Sequence, residues 1–260
     1  MDKQGMDKKS QISLDIGSGL ISREEIEKTF INILLEKGAL KVMPNINKPF
    51  ILKSGRSSAY FINVGALTDG ESLVKIKLVF SSFIALLLTK GGLEDFDFIF
   101  GPAYKGIGLA TLTCEGLSEL YHINKRYLYD RKEEKAYGDT SADKIIVGAD
   151  HFKAGQKILL IDDVITTGGT KIEVLEKLNP LGAHKVVGLV LGVDRQEKLG
   201  DATNIDNLSA VNYIEEELGI KVFSILNSKI IFNLLKNGLT QDISQYWINY
   251  SNKYGVVKLS

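Results

Sequence analysis

The sequence predicts an α/β fold in which helices flank a central, mostly parallel β-sheet. Three observations carry that expectation. From residue 96 onward, short apolar runs alternate with segments whose apolar residues recur at helical spacing, the pattern of βαβ units. The strand-like runs, Ile158-Leu159-Leu160-Ile161 above all, are apolar at successive positions, as strands covered on both faces are. The 260 residues contain no internal repeat, low-complexity tract or Pro/Gly-rich linker, so one α/β domain with N-terminal additions is the economical organisation.

Taken in order, residues 1–20 are polar and aperiodic, and are expected to form a mobile extension. Ser22 and Glu25 make a capping-box pattern, and Ile26, Phe30, Ile33 and Leu34 follow at helical spacing until Gly38, which predicts a helix over 23–37. Two β-type runs, 49–53 and 59–64, flank the turn-rich Ser54-Gly55-Arg56-Ser57-Ser58 and read as a hairpin. A helix is expected over 71–90, then a buried strand over 96–100 that runs into Gly101-Pro102, and a helix over 106–120. A strand at 126–129, a charged segment at 130–143, a strand at 157–161, a helix at 171–178 and a strand at 185–193 continue the alternation. Beyond 207 the pattern is mostly helical (208–218, 229–236, 243–252), with one strand-like run at 221–225.

Composition narrows the function classes. Thirty-two Lys plus Arg balance thirty-two Asp plus Glu, so no global field draws the chain to nucleic acid or to an anionic membrane, and any anion site must be local. Cys114 is the only cysteine, which excludes an internal disulfide framework and a Cys-rich zinc site. The histidines His122, His151 and His184 form no HExxH-type pattern. The charged N-terminus has no apolar region of a secretory signal behind it, and the apolar stretch at 83–88 falls short of the roughly 20 residues that span a bilayer. A cytoplasmic protein is expected.

The chemistry concentrates in KILLIDDVITTGGT, residues 157–170. A buried strand leads into Asp162 and Asp163, and the carboxyl end of a parallel strand is where open α/β sheets bind ligands. Thr166, Thr167, Gly168, Gly169 and Thr170 follow just before a helix. Glycines let backbone N–H groups converge on an anion, hydroxyls add donors, and the helix N-terminus adds partial positive charge. The segment is neither a Walker loop nor a Rossmann fingerprint. A phosphate cradle beside two acids suits a phosphorylated sugar; the bland alternative is an Asp pair capping a helix beside a Gly-rich turn.

Residues 158–170 closely resemble the 5-phosphoribosyl-1-pyrophosphate motif of the type I phosphoribosyltransferases. FILKSGRSSAYFIN (50–63), GPAYKGI (101–107), DRKEEKAYGD (130–139) and VDRQEKLG (193–200) narrow the resemblance to the orotate phosphoribosyltransferases, over most of residues 22–225. It implies the type I fold over 21–260, with a small N-terminal hood from about 21–65 plus C-terminal elements. The implied reaction is transfer of ribose 5-phosphate from the pyrophosphate donor to N1 of orotate, giving orotidine 5′-monophosphate in UMP biosynthesis.

The resemblance also implies roles. Tyr104, Lys105, Arg131, Lys132 and Lys135 would contact the donor's pyrophosphate, Lys135 from a lid shared across a homodimer. Asp162 and Asp163 would hold the ribose hydroxyls, Val164 and Ile165 would also bind the donor, and Thr166, Thr167, Gly168, Gly169 and Thr170 would hold its 5-phosphate. Lys53, Phe61, Ile62, Thr166 and Arg195 would serve orotate, Lys53 also touching the donor. Lys105, Lys135, Arg131 and Asp163 are the expected catalytic set. Mg²⁺ is implied, held mainly through substrate with no dedicated protein ligand set.

Several positions depart from the family pattern. Tyr137 stands where histidine is common and can donate a hydrogen bond but carries no cation near neutral pH. Asp139 replaces a glutamate, Ile62 an aromatic residue and Ala59 a proline. Alternative readings also stand. Arg195 has an ion pair with Asp194 or Glu197 as its bland reading, and Lys105 that of a solvated lysine at a helix start, an end unfavourable to cations. At the level of function, the alternatives are a purine-type phosphoribosyltransferase and a non-catalytic phosphoribosyl-binding regulator. Association with the decarboxylase of the following step is a possible partnership.

Overall fold

A computed structural model describes residues 19–131, 145–165 and 175–260. Lys132, Lys135, Tyr137, Thr166, Thr167, Gly168, Gly169 and Thr170 therefore lie outside the described residues, as do 1–18.

Six strands form the central sheet in the order β12-β9-β8-β5-β6-β7. They are β5 (Phe98–Phe100), β6 (Arg126–Asp130), β7 (Ile146–Val147), β8 (Lys157–Ile165), β9 (Lys185–Asp194) and β12 (Val222–Asn227). All neighbours are parallel except β6 and β7. Alternation along β8 explains its unbroken apolar character. Leu159 and Ile161 enter one core, with helices α1 (Arg23–Glu36), α2 (Gly70–Thr89) and α3 (Lys105–Tyr121), whereas Ile158 and Leu160 enter a second core on the other face.

Local signals account for the helix ends. Ser22 and Glu25 close the reciprocal capping box that starts α1, and Asp69 accepts from the Ser72 amide at the start of α2. By length and composition α2 is apolar enough to cross a membrane, a property the sequence expectation missed. Here that character reflects packing, because Ile76, Val79, Phe80, Phe83, Ile84 and Leu86 are buried.

Short elements correct the expectations. β2 (Phe50–Ile51) pairs antiparallel with β3 (Ser57–Ser58), but β4 (Tyr60–Ile62) pairs with β1 (Leu40–Val42), so the single hairpin is divided between two small sheets. Three residues after Gly38 are too few to display a strand period. β8 continues past the Asp162-Asp163 pair to Ile165, with Asp162 opposite Leu191 and Ile165 opposite Asp194. The helix expected over 208–218 begins later. β10 (Lys198–Gly200) and β11 (Ile205–Ser209) form a hairpin, and Ser209 then caps α4 (Ala210–Glu216). The chain ends in α5 (Ser228–Leu235) and α6 (Gln241–Tyr254).

α6 ties the small sheets down. Trp247 stacks on Tyr60 with ring centroids 4.4 Å apart, and Tyr246 Oη donates to Ser57 O at 3.1 Å.

Candidate active site

From β5 the chain crosses first to β6 on one side and later to β8 on the other, so the carboxyl ends of β5 and β8 flank a point where the winding reverses. Open α/β sheets bind ligands at such a point. The loop after β5 is packed tightly there. A Cβ on Gly101 would lie 2.0 Å from Gly106 O, and one on Gly106 would lie 2.6 Å from Pro102 Cδ, so glycine is required at both positions. The Ala103–Tyr104 peptide is cis, Tyr104 is exposed, and Lys105 opens α3. Lys105 Nζ reaches Asp163 Oδ2 as an ion pair, with Asp163 buried and the lysine half-exposed. The cation at a helix N-terminus therefore does have an anion beside it.

Each acid of the pair also accepts from the following amide: Asp162 Oδ1 from Asp163 N and Asp163 Oδ1 from Val164 N, both at 2.8 Å. Asp130, at the end of β6, is buried and accepts from Ala103 N at 2.6 Å through Oδ1, while Oδ2 pairs with Lys177 Nζ at 2.6 Å. Its carboxylate thus joins the loop after β5 to the helical residues 175–178. The neighbouring Arg131 has a buried Nε without a hydrogen-bond partner among the described residues.

Beside these groups lies a cavity of about 420 Å³, lined in part by Lys53, Phe61, Ile62, Val164, Arg195 and Glu197. Lys53 is exposed, and Phe61 stacks on Phe50 at 5.8 Å, so an aromatic pair survives despite Ile62. Val164 faces this cavity, whereas Ile165 is packed into the second core, which leaves only its main chain for ligand contact.

Arg195 is buried at the cavity wall. Its Nε and Nη2 lie 2.8 and 2.7 Å from Glu197 Oε1, Nη2 also donates to Ser58 Oγ at 3.0 Å, and the guanidinium sits 4.2 Å over the Tyr60 ring. The ion pair with Glu197 and a place at the cavity coexist, so the two sequence readings of Arg195 are not exclusive. Because Nε and Nη2 are engaged, Nη1 is the nitrogen that makes none of these contacts.

Phe61, Ile62, Lys53 and Arg195 are thus gathered at one cavity, and Tyr104, Lys105, Asp162 and Asp163 at the adjoining strand ends. The sequence reading missed Arg56 and gave Glu197 no role of its own, yet both line the cavity. The signal was available: a charged residue in a turn flanked by β-type runs, and two opposite charges two positions apart in Arg195-Gln196-Glu197. Cys114 is packed in the core, and burial pushes its thiol up to about 12, so it is no nucleophile.

A phosphoribosyl transferase domain model matches residues 85–221. The chain is 41% identical to an orotate phosphoribosyltransferase of Bifidobacterium adolescentis over 208 residues, spanning 80% of this chain and 84% of the relative. It belongs to the orotate phosphoribosyltransferases. An orotate phosphoribosyltransferase of Saccharophagus degradans is 37% identical, over 88% of this chain and 98% of its own. The crystal structure of the Francisella tularensis orotate phosphoribosyltransferase superposes with a TM-score of 0.70 at 34% identity, covering 87% of this chain and 98% of that one. The expected type I fold is the fold found.

Phosphoribosyltransferases in general depend on a divalent metal. Among the described residues of this orotate phosphoribosyltransferase no three His, Cys, Asp or Glu side chains converge. Its Asp162 and Asp163 are hard oxygen donors, one of them already committed to Lys105. That set suits a small, hard cation that draws its other ligands from substrate and water.

Proposed function

We infer that the chain catalyses transfer of ribose 5-phosphate from 5-phosphoribosyl-1-pyrophosphate to N1 of orotate, giving orotidine 5′-monophosphate and pyrophosphate in pyrimidine biosynthesis. The observation that carries this reading is the meeting, at one reversal of the sheet, of the Lys105–Asp163 pair with a cavity walled by Lys53, Phe61 and Arg195.

Asp162 and Asp163 hold the ribose hydroxyls and Thr166 to Thr170 the 5-phosphate. Charge flows onto the pyrophosphate as the C1–O bond breaks, so preorganised cations at that leaving group are the main requirement. Tyr104, Lys105, Arg131, Lys132 and Lys135 supply the contacts, Tyr137 adding a neutral donor. Magnesium, bound mainly through substrate near Asp162 and Asp163, would neutralise the diphosphate. Orotate lies against Phe61 and Ile62. Its carboxylate accepts from Arg195 Nη1 rather than from the full guanidinium fork, with Lys53 as the second cation.

The enzyme works as a homodimer whose charged 130–143 segment, carrying Lys135, closes over the partner's site, with the elements over 21–65 and α6 as a hood. The balanced charge and the single buried cysteine support a cytoplasmic setting, and association with the decarboxylase of the next step is chemically reasonable for a shared intermediate. Ultraviolet absorbance of orotate with the donor and Mg²⁺ tests the reading: orotate is consumed. Consumption of adenine or hypoxanthine instead would favour a purine-type enzyme, and donor binding without turnover a regulator.

A further inference from the structure

We propose that Glu197 and Tyr250 are positioning residues for base recognition, holding Arg195 so that a single edge of its guanidinium meets the carboxylate of orotate. The proposal rests on the reading of Arg195 given above. Glu197 is buried and its Oε1 accepts from Arg195 Nε at 2.8 Å and from Tyr250 Oη of α6 at 2.9 Å, while Arg195 Nη2 lies 2.7 Å away in the ion pair. Its Oε2 lies 3.4 Å from Arg56 Nη1.

Arg56 does not need Glu197 for its position. It donates to the carbonyls of Asp201 (3.1 Å), Lys198 (2.9 Å) and Leu199 (3.3 Å), and it sits 4.7 Å over the Tyr254 ring. Arg195 has no comparable set among the described residues. Besides Glu197, it has one hydroxyl, Ser58 Oγ, and one ring face, Tyr60. A guanidinium held on a ring face can still turn in its own plane. What stops that rotation is acceptors along the Nε–Nη2 edge, the charged Glu197 Oε1 at Nε and the neutral Ser58 Oγ at Nη2.

Tyr250 completes the arrangement. Its hydroxyl occupies a further lone-pair direction of Oε1, and the same carboxylate pushes the phenol pKa upward, after burial as the first cause, so Tyr250 stays a donor. Base recognition thereby reaches α6, far along the chain from the Asp162-Asp163 motif. Discrimination for an anionic base follows from geometry and charge together: Glu197 offsets part of the field of the two arginines, but by fixing Arg195 it leaves Nη1, with Lys53, to meet an incoming carboxylate.

The test compares Arg195→Ala, Glu197→Gln and Tyr250→Phe by steady-state kinetics with both substrates, and by competition with the neutral carboxamide of orotate. Arg195→Ala and Glu197→Gln should each raise KM for orotate by about ten-fold or more, the worth of a hydrogen bond to a charged group, with KM for the donor unchanged. Tyr250→Phe, which keeps every charge and the ring, should raise KM for orotate several-fold with a smaller change in kcat. In all three the preference for orotate over its carboxamide should shrink, a change that general loosening of the fold would not produce. If Arg195→Ala weakens orotate while folded Glu197→Gln and Tyr250→Phe bind it as the parent does, the positioning role is overturned. If Arg195→Ala itself leaves KM for orotate unchanged, the reading of Arg195 falls and the proposal with it. Should Glu197→Gln not fold, Tyr250→Phe decides alone.

Discussion

Lys105 and Asp163 form an ion pair between the start of α3 and the end of β8, so a cation proposed for the leaving group rests on an acid proposed for the sugar. On the proposed roles, donor binding would exchange this contact for two others, Lys105 turning to diphosphate and Asp163 to ribose. Lys105→Ala should lower kcat by about 10²-fold, the usual cost of removing a preorganised group from a developing charge. Asp163→Asn should act mainly on KM for the donor. Initial rates at varied donor concentration separate the two, and equal effects on kcat and KM in both variants would contradict the division of roles.

Asp130 fastens two segments of the site, through Ala103 N and through Lys177. Asp130→Asn keeps an acceptor for Ala103 but removes the charge that Lys177 meets. A loss of about 1–3 kcal/mol is expected, within the range for breaking a buried, charge-assisted contact, and Asp130→Ala should cost more. Urea denaturation checks the order, and KM for the donor should rise alongside as the Tyr104-Lys105 loop loosens.

Asp194, at the end of β9, predicts a pH dependence. Burial pushes its carboxyl up to about 6, against a partial opposing effect of the hydrogen bond from Gln196 N. The folded pKa lies above the unfolded value of about 3.9, so the folded state binds the proton more tightly. Its favourable contribution is complete below about pH 4 and is lost as pH rises toward and through 6. Asp194→Asn retains the acceptor for Gln196 and removes the ionisation. The variant should match the parent near pH 4 and exceed it by about 2 kcal/mol at pH 7. Unfolding free energies at both pH values read this directly, and a gain of equal size at pH 4 would point to packing instead.

The lid proposal carries its own expectation. Lys135→Ala should depress turnover far more than it weakens orotate binding, because its charge acts as pyrophosphate departs. Mixing Lys135→Ala with Asp163→Ala should restore part of the activity if a subunit's lid closes over its partner's site. Confirmed subunit exchange with no gain would exclude a shared site.

Much was legible from the chain alone, for identifiable reasons. The two-sided burial of Ile158 to Ile161 was legible because successive side chains of a strand point to opposite faces, so an unbroken apolar run in one covers both. Gly101 and Gly106 were visible as a turn and a helix start, though not as two backbones in contact. The pairing of β4 with β1 was not legible, because register is decided by which short edges meet and three-residue strands carry too little pattern. The β10–β11 hairpin was hidden likewise, its apolar residues continuing smoothly into the helical period of α4.

The main sheet strands with the helices α1 to α3, the Asp162-Asp163 pair and the family follow from the sequence by itself, because each is encoded in contiguous residues whose spacing or identity is enough. The shape of the proposed base site does not. Arg195, Glu197, Ser58, Tyr60 and Tyr250 come from separate stretches, and only the folded chain sets which edge of the guanidinium is spoken for and which is left. Hydrogen-bond geometry is a property of atoms in space, and a linear pattern does not contain it.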